Sequence, residues 1–411
     1  MVYIIQNQLE NLKKIKLKID RVSNKISENR IDKFMSLYSD YELGKKYLKF
    51  LSYELDKFTS QKLSKKLLLR EALIRTWFNG AHPYCISSLL KIYNKKYHLI
   101  KKEILAYLIG YGFGDGGLKS NLLEFFMCGT KQDLKNIIKY LKKNINSALN
   151  IKFGTNYGGN VIRNKEGKLI PANFGESWII YIYDSVFAKL LHVYGLPKGE
   201  KVLQEFLIPD WIKNSPNNIK KEFLEALFES ELQKYTIIFN KKRKKIEICP
   251  ISFGLAKIKE YQTNLIQLLD EIRGLCIDLG IKCGLCELPK LKTKRKDGNT
   301  TIFSRFYISM SALNVCKFAD VIDFRFHKEK RLALDKAVKE AKRKLGLFND
   351  RFMKYEEAIN LYKKGLNYFK IAKELEVNYM VIRGWIKNEF KPYLFENADI
   401  VEEFLNGKNR A

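Results

Sequence analysis

"AYLIGYGFGDGGL", residues 106–118, sets five glycines (Gly110, Gly112, Gly114, Gly116 and Gly117) and one acid, Asp115, in an otherwise apolar run. A glycine inside a helix costs about 1 kcal/mol relative to alanine, so such a run needs a reason. Phosphate cradling is one candidate, because Gly112, Gly114 and Gly117 satisfy GxGxxG. That fingerprint needs a strand before it and a helix opening after it. Here "EILAYLIGY" upstream is long and helix-like, "SNLLEFFMC" downstream is strand-like, and no GK[ST] follows. The glycines are therefore read as helical. Gly110 and Gly114 share one face and let another helix backbone approach closely, as small residues do between membrane helices.

A partner helix is present in the sequence. "FLEALFESEL", residues 223–232, aligns residue for residue with "YLIGYGFGDG", residues 107–116. Gly110 coincides with Ala226, Gly114 with Ser230, and Asp115 with Glu231. Two helices packed along these faces would end with Asp115 and Glu231 side by side. The alignment pairs Glu229 with Phe113, so Glu229 is not the matching acid, and Leu232 stands where the first string has Gly116.

The whole chain has 411 residues, with 75 Lys plus Arg against 45 Asp plus Glu, a formal charge of +30. This excess points to a polyanionic partner, nucleic acid first, and it clusters at "KKRKK" (241–245) and "KLKTKRK" (290–296). No stretch approaches the roughly 18 apolar residues of a membrane span, and "MVYIIQNQLE" is not a signal peptide, so a cytoplasmic protein with no membrane partner is expected. Seven scattered cysteines read as free thiols in a reducing compartment. Cys283 and Cys286 have metal spacing with Cys276 as a candidate third ligand, but no second pair lies nearby to close a tetrahedral site.

The first hundred residues carry helical periodicity, as in "IDKFMSLYSDYELGKKYLKFLSYELDKF" (31–58), and the tail beyond about 350 is helical again. Between them "LLEFFMC", "ESWIIYIYD", "YTIIFN" and "SRFYISM" read as strands. An internal repeat links the ends: "KLSKKLLLREALIRTW" (62–77) aligns without gaps to "KIAKELEVNYMVIRGW" (370–385). Leu67/Leu375, Ile74/Ile382 and Trp77/Trp385 would form one small core in each, the pattern of a helix-turn-helix. Its second helix would present Arg70, Glu71 and Arg75 in the first copy and Asn378, Tyr379 and Arg383 in the second.

Two longer strings complete the picture: "VYGLPKGEKVLQEFLIPDWI" (193–212), a Gly-x-Pro-x-Gly-x-Lys to Ile-Pro-x-Trp-Ile connector, and "VIDFRFHKEKRLALDKA" (321–337). With the two motif helices, the region from about 100 to 340 resembles the single-chain LAGLIDADG (dodecapeptide-type) homing endonucleases. The resemblance implies an α+β fold: a pseudo-two-fold duplicated αββαββα core with a DNA-binding β saddle, flanked by helical N- and C-terminal helix-turn-helix domains. The expected divisions are a helical region 1–100, repeat one over 101–212, repeat two over 213–345, and a C-terminal helix-turn-helix over 350–411.

The resemblance also implies chemistry: Mg²⁺ (or Mn²⁺) held by Asp115 and Glu231 for site-specific double-strand cleavage of DNA in intron homing, with Lys119 or Lys234 as base or charge support. A monomer is expected, with double-stranded DNA as partner and structured RNA as an alternative. The saddle would be lined by Lys152, Arg163, Lys165 and Lys168 on a hairpin turning near 164–168. Lys290, Lys292, Lys294, Arg295, Lys296 and Arg305 would line a second hairpin, turning near 296–299. Arg70, Arg75, Asn378 and Arg383 would add contacts. Two other functions fit the same saddle: a cleavage-inactive DNA-binding regulator and an RNA-splicing cofactor.

Overall fold

The computed structural model describes residues 2–145, 149–155, 161–163, 169–171, 178–242, 244–289, 291–295 and 297–392. The chain divides into two compact units, Met1–Glu231 and Leu232–Ala411. The division falls after Glu231 rather than near 212, so the second motif helix belongs to the first unit.

The first unit opens with six helices: α1 (Val2–Ser23), α2 (Glu28–Met35), α3 (Tyr41–Ser52), α4 (Ser60–Leu67), α5 (Glu71–Phe78) and α6 (Tyr84–Asn94). Their core is aromatic. Trp77 meets Tyr47 edge-on at 5.0 Å and Phe50 at 5.3 Å, and all three are buried. The Thr59 side chain caps α4, and Leu68, at φ 52, turns the chain into α5.

Next come α7 (Lys102–Phe113), β1 (Gly116–Leu118), β2 (Phe125–Gly129), α8 (Lys131–Asn144) and β3 (Ile151–Thr155). A small hairpin of β4 (Val161–Arg163) and β5 (Leu169–Pro171) precedes β6 (Trp178–Ile182) and α9 (Ser185–Val193). The sheet order is β1-β2-β6-β3, antiparallel throughout. Period-two alternation buries Phe125, Met127, Ile180 and Ile182 on one face and leaves Phe126, Cys128 and Tyr181 partly open on the other. A short α10 (Asp210–Lys213) leads into α11 (Asn217–Glu231).

The second unit holds a hairpin of β7 (Ile237–Asn240) and β8 (Lys245–Ile248), then β9 (Ile251–Ile258), α12 (Gln262–Asp278), β10 (Leu291–Lys294) and β11 (Thr300–Ile308). Its sheet runs β10-β11-β9. The β10–β11 turn uses Asp297 and Gly298, the glycine at φ 86, closed by a bond from Arg295 N to Asn299 O at 2.8 Å. After α13 (Ala312–Val321), α14 runs unbroken from Lys328 to Lys363, across the boundary expected near 345–350. It packs with α15 (Tyr368–Glu374) and α16 (Tyr379–Ile386) around Tyr355, Ile371, Leu375, Ile382 and Trp385. Among the described residues, no helix is long and apolar enough to cross a membrane.

Candidate functional site

Every residue of α7 from Ile104 to Phe113 is buried, so the helix needs partners on all sides. Along one side it packs on α11. A Cβ at Gly110 would overlap the Phe223 carbonyl and stand 3.2 Å from Ala226 Cβ. One at Gly114 would overlap the Ser230 side chain and stand 3.0 Å from Glu231 Cγ. Gly112 clears the Leu196 side chain. Gly116 and Gly117 serve β1 instead: added Cβ atoms there would come 2.8 Å from Phe126 O and 3.1 Å from the Phe126 ring. None of the five takes a positive φ. Close approach, not left-handed backbone, is what this glycine run provides.

Inside the crossing, Tyr107 Oη donates to Glu229 Oε2 at 3.0 Å, both groups buried. Burial, with the Glu229 charge beside it, holds the Tyr107 phenol well above its usual range. Glu229 is thus a packing acid. Asp115 and Glu231, by contrast, are exposed where the two helices end.

Between those ends sits Lys201, a residue that sequence reasoning did not single out. Its Nζ shares three N–H donors among four carbonyls, those of Gly112 at 3.1 Å, Phe113 at 2.9 Å, Gly116 at 3.0 Å, and also Gly114. The last carbonyls of a helix lack intrahelical donors and carry the negative end of its dipole, so an ammonium satisfies both needs. Burial lowers the Lys201 pKa, and the Glu231 and Asp115 carboxylates oppose that shift. A signal did exist: Lys201 closes the Gly-x-Pro-x-Gly-x-Lys connector, where Gly195 and Gly199 take φ of 111 and 78 to turn the chain back.

The cations expected from the sequence are dispersed. Lys119 is exposed, 4.0 Å from Glu124 and over the Phe126 and Tyr181 rings at 5.5 and 5.9 Å. Lys234 pairs with Glu329 at 3.6 Å. Lys152 is exposed on β3, over the Tyr183 ring at 5.0 Å. Arg163 lies on β4 and Lys292 on β10, while Lys165, Lys168, Lys290 and Lys296 fall outside the described residues. Lys294 is exposed at the end of β10. Arg295 is tied to Asp297 at 3.0 Å and Arg305 to Glu287 at 3.2 Å. On the helix pairs, Arg70 is exposed, Arg75 bonds Glu71 at 2.9 Å, Asn378 caps α16 by accepting from Met380 N at 2.8 Å, and Arg383 is half-buried. Cys286 Sγ faces Asp270 at 3.3 Å, and among the described residues no three His, Cys, Asp or Glu side chains are grouped to hold a metal.

No family model matches the chain. It is 24% identical over 271 residues to the tRNA-splicing ligase RtcB of Methanopyrus kandleri, covering 64% of this chain and 25% of that protein. It is 26% identical over 312 residues to the replication factor C small subunit of Methanocaldococcus jannaschii, covering 75% and 15%. The DNA-directed RNA polymerase subunit Rpo1N of the same organism matches at 28% over 211 residues, covering 48% and 14%. The chain therefore spans less than a third of the length of the curated relatives it matches.

These comparisons overturn the homing-endonuclease resemblance, and with it the Mg²⁺-dependent DNA endonuclease of intron homing. The relatives are named for RNA ligation, replication and transcription, with tRNA-splicing ligases recurring among them. The physical reason is visible in α7. Its glycine string encodes a tight helix crossing and a close strand pairing, and those needs arise whatever the attached chemistry.

Proposed function

We propose that this chain is an RNA-directed binding module that serves RNA splicing as a cofactor. The observation that carries this is its repeated similarity, at 24–28% identity, to tRNA-splicing ligases. A net charge of +30 supports a polyanionic partner. The open face of the first unit's sheet adds Lys119 over Phe126 and Tyr181, and Lys152 over Tyr183. Unpaired RNA bases stack on aromatic side chains arranged in this way, while the lysines take phosphates. Ligation itself is not proposed, because the chain also aligns with replication and transcription subunits.

Asp115 and Glu231 belong to this proposal as a divalent-cation site. Mg²⁺ takes one or two protein carboxylates and fills its other positions with water and phosphate, which fits two exposed acids at adjoining helix ends. Bound Mg²⁺ or Mn²⁺ would supply a positive charge for a phosphate oxygen. Lys201 keeps the α7 terminus closed beneath the acids. We also take the strand orders β3-β6-β2 and β10-β11-β9 as support for two copies of one αββαββα unit.

Fluorescence anisotropy tests the partner. A stem-loop RNA is expected to bind at least tenfold tighter than a DNA duplex of equal length at the same salt. In the Asp115→Asn, Glu231→Gln double variant, the Mg²⁺-dependent part of the RNA affinity should vanish. Equal or tighter binding of the duplex would sink the RNA assignment.

A further inference from the structure

A cavity of about 560 Å³ in the first unit lies apart from the acid pair, lined by Arg21, Asn24, Lys25, Tyr93, Lys96 and His98 among others. The end of α1 supplies Arg21. The end of α6 supplies Tyr93, and Lys96, at φ 57, turns the chain so that His98 comes back over the Tyr93 ring. The two rings stack at 5.2 Å and 14°. Arg21 Nη1 donates to Tyr93 Oη at 2.9 Å, and Lys18 lies 5.8 Å over the same ring.

Among the described residues no carboxylate lines this cavity, while three cations do. Like charges gathered without a counter-charge repel, and an anion between them relieves the repulsion. Burial, with Lys25 and Arg21 beside it, holds the His98 imidazole below its usual pKa range. The neutral ring therefore offers a planar face at neutral pH rather than a fourth charge. Leu99 adds an exposed apolar side chain at the rim. Cations beside a planar aromatic surface match the two halves of a nucleotide, and the volume falls within the ~300–1,000 Å³ of small-ligand sites.

We propose that this cavity binds a nucleoside phosphomonoester, with the phosphate at Arg21, Lys25 and Lys96 and the base against the Tyr93–His98 stack. The same chemistry occurs in a free nucleotide and at a phosphorylated RNA end. The full chain is titrated with adenosine 5′-monophosphate, adenosine and inorganic phosphate by calorimetry, with the His98 ring signal followed by NMR. The monophosphate should bind at least tenfold tighter than either fragment and shift the His98 signal. Arg21→Ala with Lys25→Ala, both exposed positions, should weaken it at least tenfold with the thermal melt unchanged. Competition by 5′-phosphorylated but not 5′-hydroxyl RNA assigns the site to an RNA end, and competition by neither assigns it to the free nucleotide, while equal competition by both would overturn the phosphate assignment. Adenosine binding as tightly as its monophosphate, an unmoved His98 signal in the unmodified chain, or full affinity in the double variant would overturn the proposal.

Discussion

The helix pairs α4–α5 and α15–α16 share a backbone but differ in what they present. In each, a side-chain oxygen caps the first helix: Thr59 accepts from Lys62 N at 3.3 Å, and Asn367 from Lys370 N at 2.9 Å. In each, a left-handed residue that is not glycine makes the turn, Leu68 at φ 52 and Glu376 at φ 53. Both bury the same Leu, Ile and Trp. Outside, they diverge. On α5, Glu71 is held by Arg75 and by the Ser60 hydroxyl at 2.9 Å, so its polar face is internally neutralised. On α16, Tyr379 and Met380 are exposed. A few core positions thus define the scaffold and leave its outer face free to differ, internally paired on α5 and exposed and apolar on α16.

The largest contrast concerns the two tryptophans. Trp77→Ala and Trp385→Ala should each cost about 3–5 kcal/mol through the cavity they leave. Trp77 stands at the high end because it packs on Tyr47 and Phe50, whereas Trp385 meets Tyr355 at 5.7 Å. Denaturant unfolding, with hydrogen exchange to locate the loss, checks both. Equal losses would erase the packing difference.

Next comes binding. Tyr379→Ala should weaken RNA affinity by about 1–3 kcal/mol, the worth of one aromatic stack. Arg75→Ala should change it far less, since Glu71 already engages that guanidinium. Anisotropy at fixed salt measures both, and the reverse ranking would exchange the roles of the two pairs.

Smaller still is the turn. Leu68→Gly and Glu376→Gly should each stabilise by about 1 kcal/mol, because glycine adopts positive φ without the Cβ penalty. The two gains should match in thermal melts, as the two φ values do. A gain at one site only would show that the turns are not equivalent.

Acid should separate the pairs by the least. The Ser60 hydroxyl and the Arg75 guanidinium hold the Glu71 carboxyl below its ordinary 4.5. The stabilisation from a depressed carboxyl is complete above its unfolded pKa and is lost as pH falls through the folded one. The protection of α5 amides relative to their intrinsic exchange rate should therefore fall below about pH 4.5, and Glu71→Gln should remove that step. In α16, Tyr379 occupies the equivalent position, so no such step is expected there.

Local spacing made much of this legible. The Leu, Ile and Trp of each helix pair were readable because the two strings align without gaps, and because the Ile and Trp, three residues apart, share a face of the second helix. The α7–α11 crossing was readable because glycine and small residues recur four apart in both strings. Lys201 was not, since a lone lysine in a connector acquires its partners only when the chain folds back across more than 80 residues to α7. The strand that follows α7 was also hidden. Gly116 and Gly117 let β1 pair with β2, whereas Leu232 is a buried side chain and residues 232–236 form no strand. The family reading failed differently. Short glycine-and-acid strings report packing geometry, and the relatives carry other names.

The crossing of α7 and α11 also has a consequence in time. The Tyr107–Glu229 contact joins residues 122 positions apart. A ribosome adding about 5–20 residues per second takes roughly 6 to 24 s to make the second after the first. Throughout that interval the apolar, glycine-lined side of α7 has no α11 to cover it, so the nascent chain carries an adhesive surface. Slow translation or a stall between the two helices would prolong this state, and chaperone occupancy on the emerging chain should peak there and fall once Glu231 clears the exit tunnel.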